Sequence, residues 1–263
     1  MQIADLGHIR LHYQIDGPET GLPLVLSNSL GTDLRLWEPL LPHLPRELRV
    51  IRYDRRGHGL SDVPAAPYSM GQLVRDTEAL LDHLGIRECV FLGLSIGGMV
   101  AQGLAVKRPD LIRAMVLSNT AARIGTTEIW QGRIDMARAQ GLGALTDATM
   151  ERWFSPGFRA SPEIALWQNM FNATPLEGWT GCAAAIAGTD FYTSTAALRL
   201  PTLGIGGDRD GSTPPDLVRE TTELVPGARF ELIHRAGHLP HVEQPARYAG
   251  ILTAFLQDSG LQA

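Results

Sequence analysis

Gly93-Leu94-Ser95-Ile96-Gly97 follows a run of apolar residues and precedes a segment rich in small residues. The apolar run at residues 90–92 predicts the end of a buried strand, and residues 98–106 predict a helix. A G-x-S-x-G sequence between a strand and a helix is typical of a nucleophile elbow, in which a tight turn strains the serine backbone. We therefore predict that the Ser95 hydroxyl projects over a sheet edge. The alternative is an ordinary glycine-rich turn with an incidental serine.

The composition is that of a globular protein with room for a large core. The chain has 263 residues, of which 44% are hydrophobic and 19% are charged. Its net charge is −5 and it has no basic run, so we expect neither nucleic acid nor an acidic membrane surface as a partner. Its first residues lack signal-peptide features, and no apolar stretch could span a bilayer. Cys89 and Cys182 are predicted to be free thiols, which favours a cytoplasmic enzyme.

Predicted strands alternate with predicted helices in two parts of the chain. This alternation is typical of an α/β fold with a mostly parallel sheet and helices on both faces. A hairpin around Gly7-His8 adds antiparallel strands at one edge. Residues 122–197 interrupt the alternation with helical patterns and no strong strand. We therefore predict a core domain of residues 1–121 and 198–263, with a helical cap at 122–197 inserted into it.

A serine hydroxyl needs a base within hydrogen-bond reach and an acid that orients the base. In this fold the acid and then the histidine should follow the elbow along the chain. Asp210 and His238 each lie in a loop after a predicted strand, at the carboxyl edge where open α/β sheets bind ligands. We therefore predict Ser95, Asp210 and His238 as the catalytic residues.

Other residues compete for the roles of base and acid. His58 also follows a strand, and its alternative role is to hold a loop through hydrogen bonds. Asp208 directly follows its strand, so it is expected to bind backbone N–H groups of its own loop. The remaining histidines are expected at the surface, in the hairpin, near a helix end or flanking His238. They are His8, His12, His43, His83, His234 and His241.

An oxyanion formed by attack on a carbonyl needs two fixed hydrogen-bond donors. One predicted donor is the backbone N–H of Ile96, the residue after the serine. The other should come from residues 27–31, after the strand at 24–26, and Leu30 is our choice.

These motifs together resemble the α/β-hydrolase family over essentially the whole chain. The matching segments are the elbow, Asp54-x-Arg56-Gly57-His58-Gly59-x-Ser61, Gly207-x-x-Asp210-x-x-x-Pro214 and Gly237-His238. A closer resemblance is to the 3-oxoadipate enol-lactonases of aromatic catabolism. Three segments carry it: residues 26–33 ending at Trp37, residues 118–125 ending at Trp130, and Arg152-Trp153-Phe154. Asn28-Ser29 replaces the His-Gly of many α/β hydrolases, a change that the lactonases share.

The resemblance implies a serine hydrolase that opens a five-membered enol-lactone to 3-oxoadipate, with no metal or organic cofactor. It carries over Ser95, Asp210 and His238 as the triad, and Leu30 with Ile96 as oxyanion donors. The expected partner is a small anionic lactone, and nothing in the sequence indicates an oligomer. A carboxylesterase, a lactonase for another ring and a non-catalytic receptor on the same fold remain alternatives.

The acetate arm of such a lactone needs a cation or several N–H donors. Arg123, at the start of the cap, is one candidate, and Arg133 and Arg152 are others. Each of them is alternatively a solvated surface group. Trp130 and Trp153 are predicted either to wall the pocket from the cap side or to form the core of the cap.

Overall fold

The computed structural model describes residues 1–261 and contains an eight-stranded sheet. Its strands are β1 (Gln2–Asp5), β2 (Arg10–Asp16), β3 (Pro23–Ser27), β4 (Arg49–Tyr53), β5 (Cys89–Leu94), β6 (Ile112–Ser118), β7 (Thr202–Gly207) and β8 (Arg229–Ile233). They are ordered β1-β2-β4-β3-β5-β6-β7-β8. The β1–β2 and β2–β4 pairs are antiparallel, and all the other neighbours are parallel. The predicted mostly parallel sheet with a hairpin at one edge is confirmed.

Helices connect these strands. In chain order they are α1 (Met70–His83), α2 (Ile96–Lys107), α3 (Thr127–Gln140), α4 (Thr146–Trp153), α5 (Pro156–Arg159), α6 (Ile164–Asn172), α7 (Leu176–Ala187), α8 (Tyr192–Ala196), α9 (Pro215–Glu223), α10 (Pro240–Glu243) and α11 (Pro245–Asp258). Three short 3₁₀ helices span Leu34–Trp37, Leu41–His43 and Leu142–Leu145. Helices α3 to α8 lie within residues 122–197, the segment that the sequence predicts to be a cap, and we call them the cap helices.

The local sequence explains the elements that position the site. Every residue of β5 is buried, as expected of a continuous apolar run in a sheet covered on both faces. Helix α1 begins at a capping box, in which Ser69 and Gln72 satisfy each other's backbone N–H groups. Its apolar positions, spaced at helical intervals, are buried. Strand β5 passes directly into α2, so the serine between them lies at the carboxyl edge of the sheet.

The cap helices lie in direct contact with the loops at this edge. A Cβ atom placed on Gly178 of α7 would lie 1.7 Å from the carbonyl oxygen of Gly57, so both backbones pass without side chains between them. Phe171 of α6 contacts Gly31, where an added Cβ would lie 2.7 Å from the ring. These close approaches fix the cap helices over the loops that follow β3 and β4.

Both cysteines are buried and form no disulfide, as predicted. Burial raises the pKa of the Cys89 thiol and of the Cys182 thiol to about 12, so both stay protonated at neutral pH. Within residues 1–261, no helix has the length and apolar character needed to cross a membrane.

Candidate active site

Ser95 has the strained backbone that the elbow motif predicts. Its φ and ψ angles are 57° and −122°, in a region that side-chain-bearing residues seldom adopt. Two glycines make the turn possible. A Cβ on Gly93 would lie 2.1 Å from the Gly97 carbonyl oxygen, and a Cβ on Gly97 would lie 2.2 Å from that of Ser27. The Ser95 carbonyl accepts a 2.6 Å hydrogen bond from the Thr120 hydroxyl, which further fixes the turn.

The structure brings His238 and Asp210 together. The imidazole Nδ1 lies 2.8 Å from Asp210 Oδ2, and both side chains are buried. Since an ionised carboxylate only accepts, Nδ1 carries the proton and Nε2 has a free lone pair. Asp208 instead accepts a 2.6 Å hydrogen bond from the Arg235 backbone N–H, which lies in the loop after β8 rather than in its own loop.

Several donors hold the Asp210 carboxylate in place. Its oxygens accept hydrogen bonds from the Thr213 hydroxyl at 2.7 Å, the Asn119 amide at 2.9 Å and the backbone N–H groups of Ser212 and Thr213. Burial alone would raise the pKa of Asp210, but His238 and these hydrogen bonds outweigh it and hold the pKa below its usual value. Asp210 is therefore ionised at neutral pH and can orient the imidazole.

Asn119 is a site residue that the reasoning from sequence missed. It follows β6, has a φ of 45°, and donates from Nδ2 to Asp210 and, at 3.3 Å, to the Gly237 carbonyl oxygen. A single amide group thus joins the loops that carry the acid and the histidine. The sequence feature that could have identified Asn119 is its position directly after β6. In the sheet, β6 lies between β5, which leads to the elbow, and β7, which leads to the acid loop.

The two predicted oxyanion donors are buried backbone groups. Ile96 is the first residue of α2, where the N–H groups have no partner within the helix. Leu30 lies in the loop after β3. Among residues 1–261, neither the Leu30 N–H nor the Ile96 N–H donates a backbone hydrogen bond outside regular elements. Both donors are therefore available to an oxygen bound near Ser95.

A cavity at the carboxyl edge of the sheet joins residues from the core and the cap. The volume within it that is open to water is about 50 Å³. The residues that line it are Ser29, Leu30, Ser95, Ile124, Trp130, Arg133, Leu145, Thr149, Arg152, Trp153, Phe171, Trp179, Ser212 and His238. Ser95 and His238 share this cavity without a direct hydrogen bond between their side chains, a contact that often tightens only with substrate bound.

The C-terminal end of α4 is tied to both catalytic loops. The Trp153 carbonyl accepts a 2.8 Å hydrogen bond from the His238 backbone N–H, and the Arg152 carbonyl accepts one of 3.0 Å from the Gly211 N–H. The Trp153 ring lies nearly parallel to the His238 ring, with centroids 6.5 Å apart. Trp153 therefore contributes to the pocket wall and helps to hold the histidine loop.

Two arginines of the cap line the cavity without forming an ion pair with a described carboxylate. Arg133 lies over the Trp130 ring at 4.8 Å, and Arg152 donates to the Thr149 hydroxyl at 3.1 Å. Burial lowers the pKa of Arg133. Burial, together with the Arg133 charge, lowers the pKa of Arg152 to about 10. Two partly buried cations beside the serine form a site that favours an anion.

The prediction that Arg123 contributes to the pocket is wrong. Its neighbours Ala122 and Ile124 are buried, and Ile124 lines the cavity, whereas Arg123 points outward. Its side chain is half exposed, and its guanidinium lies 4.0 Å from the Asp190 carboxylate. The chain bends at residues 122–125, and Arg123 falls on the solvent side of this bend.

The other histidines have different partners. His58 does not line the cavity, and it accepts a hydrogen bond from the Gly31 backbone N–H at 3.0 Å. His12 and His8 form pairs with Asp54 and Asp76, respectively, away from the serine. Within residues 1–261, no group of three or more potential ligands is placed to hold a metal ion.

The elbow serine and the buried imidazole–carboxylate pair, at the carboxyl edge of a mostly parallel sheet, define an enzyme of the α/β-hydrolase class. The family model for the alpha/beta hydrolase fold matches residues 23–245, so the chain belongs to this family.

Among its relatives, the chain is 35% identical to 3-oxoadipate enol-lactonase 2 of Acinetobacter baylyi, over 95% of this chain and 94% of that protein. It is similar to the crystal structure of the enol-lactonase from Burkholderia xenovorans LB400, with a TM-score of 0.94, 37% identity, and coverage of 97% and 100% of the two chains. It is also similar to a thermophilic esterase from Thermogutta terrifontis with malate bound. That match has a TM-score of 0.89, 32% identity, and coverage of 95% and 94%.

Proposed function

We propose that this chain is a serine hydrolase that opens the enol-lactone of 3-oxoadipate to give 3-oxoadipate, in the catabolism of aromatic compounds. The relatives named as enol-lactonases cover nearly the whole chain, cap included. We further propose the cytoplasm as its compartment, since both cysteines are buried thiols rather than a disulfide.

One observation carries the proposal. A single cavity contains the elbow serine, the buried histidine and two cap arginines that form no ion pair with a described carboxylate. A neutral ester needs only the first two groups. A lactone with an acetate arm also needs a cation in the same pocket, which Arg133 and Arg152 supply.

The first half of the reaction acylates the serine. His238 Nε2 takes the Ser95 proton as the hydroxyl oxygen attacks the lactone carbonyl, and Asp210 stabilises the imidazolium that forms. The carbonyl oxygen becomes an oxyanion, which receives hydrogen bonds from the Leu30 and Ile96 N–H groups. Collapse of this intermediate breaks the ring bond and expels the enol oxygen, which takes the proton back from His238.

The ring-opened leaving group stays covalently attached, so it could attack the acyl group again. Tautomerisation of the enol to a ketone removes that nucleophile and drives the ring opening forward. A water molecule then attacks the acyl group while His238 again acts as the base, which releases 3-oxoadipate and restores Ser95. All these steps use groups of the chain and water.

The arginines favour an anionic substrate through their own unpaired charge. The positive charge of each guanidinium makes the charged form of the other less stable, and this repulsion contributes to the lowered pKa of Arg152. A carboxylate bound between them offsets this repulsion and accepts charge-assisted hydrogen bonds. The similar esterase from Thermogutta terrifontis was solved with malate, a dicarboxylate, bound.

The test is to follow the loss of the enol-lactone chromophore with the purified protein, beside hydrolysis of p-nitrophenyl acetate. We expect kcat/KM for the lactone to exceed that for the neutral ester by about 100-fold or more, because an ion-paired carboxylate contributes that much binding. A faster reaction with the neutral ester would favour a carboxylesterase. If neither ester is hydrolysed and a fluorophosphonate does not label Ser95, the receptor alternative holds.

A further inference from the structure

We propose that His58 is a positioning residue for the oxyanion hole. As a neutral imidazole it accepts a hydrogen bond from the Gly31 N–H and thereby fixes the orientation of the neighbouring Leu30 N–H. The inference rests on the proposed serine-hydrolase mechanism, but it does not depend on which ester the enzyme opens.

The hydrogen bonds of His58 define its protonation state. Its Nδ1 lies 3.2 Å from the Arg56 carbonyl oxygen, which can only accept, so Nδ1 carries the proton. Its Nε2 lies 3.0 Å from the Gly31 backbone nitrogen, which can only donate, so Nε2 presents its lone pair. The side chain is fully buried, and it does not line the cavity. These contacts exclude His58 as the base for Ser95 and leave it a structural acceptor.

The loop after β4 holds the oxyanion loop on both sides of Leu30. On one side, the buried Arg55 guanidinium donates through Nη2 to the Asn28 carbonyl oxygen. On the other side, His58 accepts from Gly31. Leu30 lies between these two anchored residues, so the direction of its N–H depends on both.

The Asn28 side chain adds a third anchor to the same loop. Its Nδ2 donates to the Tyr53 carbonyl at 2.9 Å, and its Oδ1 accepts from the Trp37 indole N–H at 2.7 Å. These bonds secure the beginning of the loop, where Asn28-Ser29 stands in place of the His-Gly of many α/β hydrolases. Near the end of the loop, the Thr32 hydroxyl donates to the Ser29 carbonyl oxygen at 2.9 Å, and His58 supplies the anchor at Gly31.

Gly31 is the position at which this anchor matters most. Its φ is +77°, a conformation that a glycine can leave at little cost in either direction. The Gly31 N–H belongs to the peptide that joins Leu30 to Gly31, and the Leu30 Cα connects this peptide to the one that carries the Leu30 N–H. The acceptor on His58 keeps the Gly31 N–H, and with it this backbone, in one orientation.

The neutral state of His58 is well protected. A protonated imidazole would present an N–H to the Gly31 N–H, and the two donors would repel each other. Burial and the Arg55 charge lower the pKa of His58 to about 3, so Nε2 remains an acceptor at the pH values at which esterases are assayed.

Two substitutions separate the acceptor from the bulk of the side chain. His58→Gln places a carbonyl oxygen at about the reach of Nε2, whereas His58→Phe fills the volume without an acceptor. Ile51→Ala is a matched control, because it leaves a cavity at a buried position of β4 and lowers stability at a residue outside the oxyanion loop. The readouts are Tm, kcat and KM with p-nitrophenyl acetate, and the Ki values of phenylboronate and benzoate. Phenylboronate forms a tetrahedral adduct with the serine and fills the oxyanion hole, whereas planar benzoate does not.

We expect His58→Phe to lower kcat by about 10- to 100-fold, since loss of a whole oxyanion donor costs about 10²–10³. KM should stay within about threefold, because the ground-state carbonyl uses these donors least. The Ki of phenylboronate should rise in proportion to the loss in kcat while that of benzoate is unchanged. His58→Gln should recover most of the activity, and Ile51→Ala should lower Tm with kcat intact.

The inference is overturned if His58→Phe has the same kcat as Ile51→Ala. It is also overturned if His58→Gln has the Tm of the wild type but a kcat as low as that of His58→Phe, or if the Ki values of phenylboronate and benzoate rise together. Should the Phe variant not fold, ¹⁵N NMR of the wild type decides. We expect a protonated Nδ1 and a bare Nε2 on His58, and a protonated Nε2 would contradict the proposal. A wild type that neither hydrolyses the ester nor binds phenylboronate would instead contradict the proposed function.

Discussion

On the core side of the cavity, Asp210 accepts hydrogen bonds from four donors besides His238. On the cap side, by contrast, Arg133 and Arg152 have no carboxylate partner among the described residues. The first side, formed by Leu30, Ser95 and His238, we name the core wall. The second side, formed by Trp130, Arg133, Arg152 and Trp153, we name the cap wall. The acid behind the core wall has its oxygens satisfied within the protein, while the cap wall keeps two cations available to a ligand.

This difference separates chemistry from selectivity. A base and its orienting acid must keep one geometry through the whole reaction, so they are held by buried hydrogen bonds. A binding cation must instead keep its strongest interaction for the substrate, so it stays unpaired until the substrate enters. The core wall therefore determines that an ester is opened, and the cap wall determines which ester.

The largest effect is expected on the core wall. Ser95→Ala should lower kcat by about 10⁶-fold, because the nucleophile of a triad accounts for nearly the whole effect of that triad. Tm should change little, since alanine fits the volume and keeps the backbone carbonyl that accepts from Thr120. Steady-state assays and thermal unfolding measure both quantities. Lactonase activity retained in the folded variant would remove Ser95 from the mechanism.

The next prediction compares two carboxylates of one loop. Asp210→Asn should lower kcat by about 10³–10⁴-fold, since an amide no longer holds the imidazole in the productive tautomer. Asp208→Asn is the matched control. Asp208 also pairs with a histidine, but that residue, His234, is exposed and lies outside the cavity. The control should stay within a few-fold of the wild type, and equal losses in the two variants would refute the assignment of the acid.

The cap wall should show a smaller and more selective effect. Arg133→Gln and Arg152→Gln should each raise KM for the anionic lactone by about 10- to 100-fold, the value of one charge-assisted hydrogen bond. Hydrolysis of p-nitrophenyl acetate should be unchanged. Arg123→Gln is the control, because that side chain lies on the solvent side of the same region. If the variants lose activity equally toward both substrates, the arginines support the cap rather than bind the acetate arm.

The smallest effect is expected at Glu243, which connects the two walls. Its carboxylate accepts hydrogen bonds from the Gly237 N–H at 2.7 Å and from Ser155, directly after the Arg152-Trp153-Phe154 segment. Burial raises the pKa of Glu243, although these hydrogen bonds oppose the rise. Stability from such a group is complete below its unfolded pKa and is lost as the pH increases through the raised folded pKa.

Glutamine at this position does not titrate. The unfolding free energy of Glu243→Gln, relative to that of the wild type, should therefore increase as the pH rises from below the ordinary glutamate pKa toward neutrality. Chemical denaturation across that range gives the difference directly. A difference that decreases with pH would mean that the hydrogen bonds outweigh burial.

The sequence predicts the core wall better than the cap wall for a physical reason. Ser95, Asp210 and His238 each follow a strand, and strands in a parallel sheet end at the same edge, so chain order is enough to bring them together. Whether Arg123 faces the cavity depends on the bends at residues 122–125, whose direction the local sequence does not specify. Arg133 and Arg152 reach the cavity from different helices, whose relative placement no local pattern encodes.

Asn119 and His58 show a second limit of the sequence. Asn119 stands directly after β6, as a strand-end site residue should, but an asparagine at that point reads equally as a turn. His58 has a strand-end position like that of His238, and only the contact with Gly31 distinguishes an acceptor from a base. Long-range hydrogen bonds assign these roles, and they are visible only once the loops are placed in space.

The central claim is that the core wall turns Ser95 into a nucleophile that opens a cyclic ester. Rapid acid quench of the reaction with the enol-lactone, followed by mass spectrometry of the peptide that contains Ser95, tests it most directly. Ring opening expels no fragment, so the account predicts an adduct on Ser95 that adds the full mass of the lactone and disappears as product forms. The claim would be contradicted if the wild type turned over with no adduct on this peptide and the Ser95→Ala variant stayed active.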